Sequence, residues 1–176
     1  EVVKNMLEET KVPANALDEL IVGNILPAGL GQGIARQVSL GAGVPVEVPA
    51  YSLNMVCGSG MKSVMNAYVG MKANMTNLVI AGGTESMSKA PYILPDKIRS
   101  GIKMGGFGVK DHMIDDALWD AFNNYHMGIK AENISEKYGI SREEQDAFAV
   151  RSQNRAEKAI AENRFADEIC EVIIPQ

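Results

Sequence analysis

Cysteine and histidine are scarce in this chain: two of each among 176 residues, Cys57 and Cys170, His112 and His126. The cysteines lie far apart with no CxxC pair and the histidines fall at no metal-ligand spacing, which argues against a structural metal or a disulfide framework and for a reducing, cytoplasmic setting. No apolar run approaches the ~20 residues of a membrane span, and no signal or transit peptide opens the chain. Basic residues are outnumbered, 17 Lys and Arg against 22 Asp and Glu, for a formal net charge of −5. With no basic stripe interleaved with aromatics, neither nucleic acid nor an anionic membrane is an expected partner, and any anionic ligand must be held locally. The start lacks a methionine and a helix cap. Glu1 to Glu9 reads as the middle of an amphipathic helix, so the sequence is expected to be a piece of a longer chain.

What is present is a hydrophobic fraction of 46%, enough for one ordinary domain or one domain and part of another. The opening helix should stop near Thr10, ahead of Lys11-Val12-Pro13. Leu20-Ile21-Val22 and Ile25-Leu26 form a nearly continuous apolar run around Gly23-Asn24, as expected of a strand buried on both faces. The glycine-rich stretch Pro27 to Gly33 leads into a helix over about 34–40; it lacks the Lys-Ser/Thr pair of a phosphate loop and fits loop packing or subunit contact better. A strand over 46–53, a helix to about Ala73 and a buried strand over 78–83 follow. Alternating strand and helix predicts an α/β layered fold with a mainly parallel sheet, helices on both faces and the reactive residue beyond the carboxyl end of a strand.

From Glu85 to about Gly108 the chain is rich in Met, Ser, Pro and Gly, an excursion suited to a substrate lid or an oligomer contact. Helices are expected over about 114–122, 127–138 and 141–163, the last opened by the capping box Ser141-Arg142-Glu143-Glu144 and having a mixed, surface-like face. Residues 169–174 read as a closing strand, with Cys170 in the core.

The chemistry concentrates at Leu53-Asn54-Met55-Val56-Cys57-Gly58-Ser59-Gly60-Met61-Lys62-Ser63-Val64. Alternating apolar residues precede Cys57, and Met61, Val64, Tyr68 and Met71 recur at helical spacing after it, which places the sulfur where a strand hands over to a helix. The first turn of a helix has unpaired N–H groups and a partial positive charge, both of which favour a thiolate. Only about 3% of an ordinary cysteine is ionised at pH 7, and a fall of ~1.5 pKa units would raise that to about half. Gly58 and Gly60 keep the approach open to a bulky acyl donor, and Ser59 adds one small polar group.

These residues resemble the thiolase family, and the resemblance runs over essentially the whole chain. The block around Cys57 extends from Leu53 to Met71; Gly23 to Gln32, Ala81 to Tyr92, Tyr125-His126-Met127-Gly128 with Ala131-Glu132-Asn133, and Glu144 to Ala149 are four more, in order. The resemblance implies a thiolase-like layered fold, with residues 1–86 as an incomplete α/β domain and 87–176 as part of an α-rich loop domain for substrate binding and oligomer contact. It implies that Cys57 accepts an acyl group from a coenzyme A thioester and that its backbone N–H contributes to an oxyanion hole. The reaction implied is condensation of two acetyl-CoA to acetoacetyl-CoA, and the reverse thiolysis. Leu118, His126 and Met127 match positions that touch coenzyme A, its pantetheine arm or the acyl end; the histidine-methionine pair is closer to short-chain members. No cofactor is implied beyond the coenzyme A thioester substrate. A homodimer or homotetramer is implied for the full-length protein.

The family's second cysteine acid/base, its Gly-His-Pro histidine and its Asn-Glu-Ala block have no counterparts here. The chain alone is therefore expected to be inactive and to expose apolar surface that the other half would cover. Another 3-ketoacyl-CoA thiolase, a condensing-enzyme relative such as a ketoacyl synthase, a Cys-His hydrolase pairing Cys57 with His126, and a non-catalytic interaction fragment stand as the alternatives.

Overall fold

A computed structural model describes residues 1–174, which form two compact units divided between Trp119 and Asp120. In the first, α1 (Val2–Thr10) precedes β1 (Glu19–Gly23), α2 (Ile34–Gly41), β2 (Ala50–Leu53), α3 (Ser59–Lys72) and β3 (Val79–Gly83). The three strands form one parallel sheet in the order β2-β1-β3, with Leu20 opposite Ala50 on one side and Ile80 on the other. β1 and β2 are each followed by a helix, α2 and α3, because only a crossover can return the chain to pair in parallel.

The apolar run at β1 makes it the central strand, and Leu20 and Ile21 are fully buried. Side chains alternate across a strand, so Leu20 and Val22 share one face, where they pack with Ala35 and Val38 of α2 and Val3 of α1. The opposite face, that of Ile21 and Gly23, receives α3. At the edge of the core Leu17, Val44 and Val48 form a second cluster against Leu7 and Leu78. The outer flank of α3 stays bare: Met61, Val64, Met65, Tyr68 and Val69 are all exposed, the apolar surface expected of this chain alone.

Several boundaries differ from the sequence reading for visible reasons. β1 stops at Gly23, before Ile25 and Leu26, because the Glu85 carboxylate accepts the N–H groups of both and draws the chain out of the sheet. β2 begins at Ala50 instead of 46, since the Arg36 guanidinium takes the carbonyls of Val46 and Val48, and Val48 N–H closes a turn on Pro45. The glycine-rich loop packs locally: the Gln37 amide donates to the carbonyls of Leu30 and Gln32.

The excursion after β3 contains short 3-10 turns and the small antiparallel ladder β4 (Tyr92–Ile93) with β5 (Lys110–Asp111). The helix expected over 114–122 is a single π-type turn, Ile114–Leu118, followed by β6 (Trp119–Asp120), which pairs with β7 (Tyr125–His126). Asp120 ends the helical path by accepting the N–H groups of Phe122 and Asn123, which folds the chain into a turn.

In the second unit, α4 (Met127–Tyr138) and α5 (Arg142–Ala161) match the expected spans, and Ser141 with Glu144 forms the capping box in both directions. α5 has no buried residue, as a mixed face requires. Residues 169–174 form no strand: among the described residues no neighbouring strand pairs with them, and a strand exists only by such pairing. Cys170 is accordingly half-buried and not a core residue, its thiol 3.5 Å from the Glu171 carbonyl. No described helix is long and apolar enough to cross a membrane.

Candidate active site

Cys57 lies four residues after the end of β2 and two before α3, in a turn closed by the Gly58 N–H on the Met55 carbonyl at 3.1 Å. Its side chain is a free, exposed thiol. The first α-helical bond of α3 runs from the Lys62 N–H to the Gly58 carbonyl at 2.8 Å, so the Gly60 and Met61 amides of the opening turn are left to point toward the Cys57 end. Those amides carry the positive end of a 14-residue helix dipole, an environment suited to an oxyanion formed beside the sulfur.

The sulfur opens on a cleft of about 250 Å³ bordered by Gly23, Ile25, Val56, Ser59, Gly60, Gly83, Thr84 and Glu85. Three glycines keep its walls low. Two of them also let the layers close up: a Cβ on Gly23 would lie 2.5 Å from the Ser59 carbonyl carbon, and one on Gly83 would lie 3.3 Å from the Gly23 carbonyl oxygen. The ends of β1 and β3 therefore meet the start of α3 backbone to backbone, at the carboxyl edge of the parallel sheet where ligands of such folds collect.

Glu85 fixes the rim. One carboxylate oxygen accepts the Asn24 side-chain N–H and the Leu26 N–H, each at 3.0 Å, and the other accepts the Ile25 N–H at 2.9 Å. Asn24 is almost fully buried and also donates to the Thr84 carbonyl at 3.0 Å. Behind the cleft, the fully buried Ser63 hydroxyl bridges the Gly60 and Gly82 carbonyls at 2.6 and 2.8 Å and ties α3 to β3. The sequence reading missed these ties. Glu85 lies in one of the resembling blocks, and an acidic residue directly after the Gly-Gly-Thr end of a strand was the available signal.

Of the other residues singled out from sequence, Leu118 is half-buried at the end of the π-type turn in the first unit and is not among the residues bordering the cleft. His126 and Met127 belong to the second unit. His126 caps α4: its Nδ1 accepts the Gly128 N–H at 3.0 Å, which leaves the ring proton of the neutral form on Nε2. Met127 is exposed beside it. His112 is 5% exposed, with Nδ1 2.7 Å from the Asp116 carboxylate and Nε2 buried without a partner. In the second unit Asp120 is buried and ion-paired. Lys130 at 2.6 Å, then Asn123 and the Phe122 N–H, hold its carboxyl far below the usual range. Among the described residues no three His, Cys, Asp or Glu side chains converge as a metal site would require.

Comparison with known proteins gives one answer throughout. The profile of the thiolase N-terminal domain family matches residues 1–176. The chain is 50% identical over 175 residues to an acetyl-CoA acetyltransferase of Pseudomonas aeruginosa and 51% identical over 175 residues to one of Allochromatium vinosum, covering 99% of this chain and 44% of each relative. Among solved structures, the Acat5 thiolase of Ascaris suum, crystallised in complex with coenzyme A, superposes with a TM-score of 0.90 at 37% identity, covering 96% of this chain and 44% of that one. The chain spans less than half the length of the curated relatives it matches.

Proposed function

Because the chain belongs to the thiolase family and matches its N-terminal domain from end to end, we propose that it carries the nucleophilic half of an acetyl-CoA C-acetyltransferase. In the proposed reaction the Cys57 sulfur attacks the carbonyl of acetyl-CoA, the C–S bond to coenzyme A breaks, and the CoA thiolate leaves with a proton. The acetyl group remains on Cys57 as a thioester, near in energy to the one it came from and still activated for transfer. A second acetyl-CoA then loses an α proton, and its carbon attacks the acetyl carbonyl. Acetoacetyl-CoA forms and the Cys57 thiol is regenerated; thiolysis is the reverse.

The observation that carries this reading is the exposed Cys57 at the opening turn of α3, facing a glycine-walled cleft at the carboxyl edge of a parallel sheet. An acyl carbonyl bound to that sulfur would place its oxygen near backbone N–H groups, with the Cys57 amide as one donor of the oxyanion hole.

Leu118, His126 and Met127 complete the proposed substrate set, with Leu118 against coenzyme A and the other two along the pantetheine and acyl end. The tautomer set by the α4 cap suits His126 to donate from Nε2 to a carbonyl of the substrate, and makes it a poor base toward the Cys57 thiol. That observation weighs against a Cys-His hydrolase. We keep the functional boundary at residue 86, with 1–86 as the α/β domain and 87–176 as the loop domain. The reading includes acetyl-CoA and acetoacetyl-CoA as partners, no cofactor, a homodimer or homotetramer for the full-length protein, a cytoplasmic location and no activity for this chain alone.

Brief exposure of the full-length protein to acetyl-CoA, followed by digestion and mass spectrometry, should find an acetyl group on Cys57. Cys57→Ser should abolish turnover. An unmodified Cys57, or a serine variant that keeps its activity, would reject the proposal.

A further inference from the structure

Val56, the residue directly before Cys57, has φ of +48°, in the left-handed region that a β-branched side chain rarely enters. Nothing about valine favours that conformation, so the neighbours must impose it. The structure shows how. The Ser59 hydroxyl donates to the Val56 carbonyl at 2.6 Å and accepts the Met55 N–H at 2.9 Å. The Ser59 N–H reaches the same Val56 carbonyl at 3.0 Å, and the Asn54 side-chain oxygen accepts the Val56 N–H at 2.8 Å. Ser59 is 4% exposed, and its place is fixed in turn by the close approach of Gly23.

We propose that Ser59 is a positioning residue for Cys57, holding Val56 in its left-handed conformation so that the cysteine stands at the third position of the turn with its sulfur toward the cleft. The inference rests on the reading of Cys57 as the nucleophile. Ser59 acts through the backbone of Val56: with both hydroxyl bonds gone, the backbone around Val56 can relax toward the regions valine prefers, which rotates the Cα–Cβ direction of the next residue. Asn54 holds the same residue from its N–H side and has a lesser share, since it is exposed to competing water.

The mechanism makes a specific demand of a double-mutant cycle. Glycine adopts positive φ at no steric cost, so a glycine at 56 removes the strain Ser59 works against. In the full-length protein Ser59→Ala should lower both the single-turnover acetylation rate of Cys57 and its alkylation by iodoacetamide by about fivefold, with KM for acetyl-CoA little changed. In the Val56→Gly background the same Ser59→Ala change should cost less than about twofold. Asn54→Ala, at an exposed site that does not threaten folding, should show a smaller loss that glycine at 56 also relieves. Equal losses in both backgrounds, or no loss from either substitution, overturns the inference. If acetyl-CoA never labels wild-type Cys57 while the alkylation cycle shows the coupling, the proposed acyl transfer fails and the positioning role stands. Acetylation of Cys57 without the coupling overturns the positioning role and leaves the acyl transfer intact.

Discussion

The end of β1 touches the start of α3 without side chains between them: a Cβ placed on Gly23 would sit 2.5 Å from the carbonyl carbon of Ser59 and 2.7 Å from the nitrogen of Gly60. No real Cβ occupies such a position, and backbone atoms cannot rotate away as a flexible side chain does. The level of Cys57 above the sheet is therefore set by the absence of a methyl group.

Gly23→Ala should destabilise the fold by about 3 kcal/mol, the upper range for an overpacked interior, and should slow alkylation of Cys57 because α3 must lift to admit the methyl. Gly60→Ala is the control for stability: beyond its chain neighbours and its own helix backbone no atom lies within 4 Å of its added Cβ, and an alanine in the first turn should be neutral or stabilising by up to about 1 kcal/mol. Urea unfolding of both variants tests the contrast, and equal midpoints would show that the contact is not as tight as described.

Glu85→Gln should loosen the rim of the cleft. The substituted amide can present at most one oxygen where two now accept N–H groups from Asn24, Ile25 and Leu26, so at least one donor is left unpaired or faced by another donor. A loss of about 1–3 kcal/mol is expected, together with faster hydrogen exchange at the Ile25 and Leu26 amides.

Ser63→Ala should cost about 1 kcal/mol by removing the hydroxyl that bridges the Gly60 and Gly82 carbonyls. Ser63→Val should cost more, about 2–4 kcal/mol, because this fully buried site must then also accept extra volume. Thermal unfolding with calorimetry separates the two.

The Asp120–Lys130 pair makes the second unit sensitive to acid. Lys130 is the largest cause of the low Asp120 pKa, and Asp120 in return holds the Lys130 ammonium above its ordinary value. A carboxylate with a depressed folded pKa stabilises fully above its ordinary value of 3.8, and that stability is lost as pH falls through the folded value. A lysine with a raised pKa stabilises fully below its ordinary 10.5 and loses that contribution as pH rises through its folded value. Protection of amides 120–130 against hydrogen exchange, corrected for intrinsic rates, should be flat between these limits and fall below about pH 4; Asp120→Asn should lower protection within the plateau and abolish the acid step. An unchanged acid limb in the variant would assign the step to another group.

The periodic parts of the fold were legible in sequence, and what depended on a distant partner was not. The helices 2–10, 34–41, 59–72, 127–138 and 142–161 declare themselves through local spacing, caps and breakers. The end of β1 did not, because Ile25 and Leu26 look like strand until Glu85, some sixty residues later, removes their N–H groups. Residues 169–174 have strand composition and no strand, since composition cannot supply a pairing partner. The turn over 119–124 was hidden because Asp120 is locally just another acid. At the site, the strand-to-helix placement of Cys57 was readable from its flanks. The left-handed Val56 was not, for valine is among the last residues to suggest it.

Gly23, Gly60 and Gly83 form much of the wall beside the cysteine sulfur. Glycine has nothing left to trim, so point substitution there can make the vestibule tighter and never roomier. Room for a larger group beside the sulfur has to be made in residues other than these.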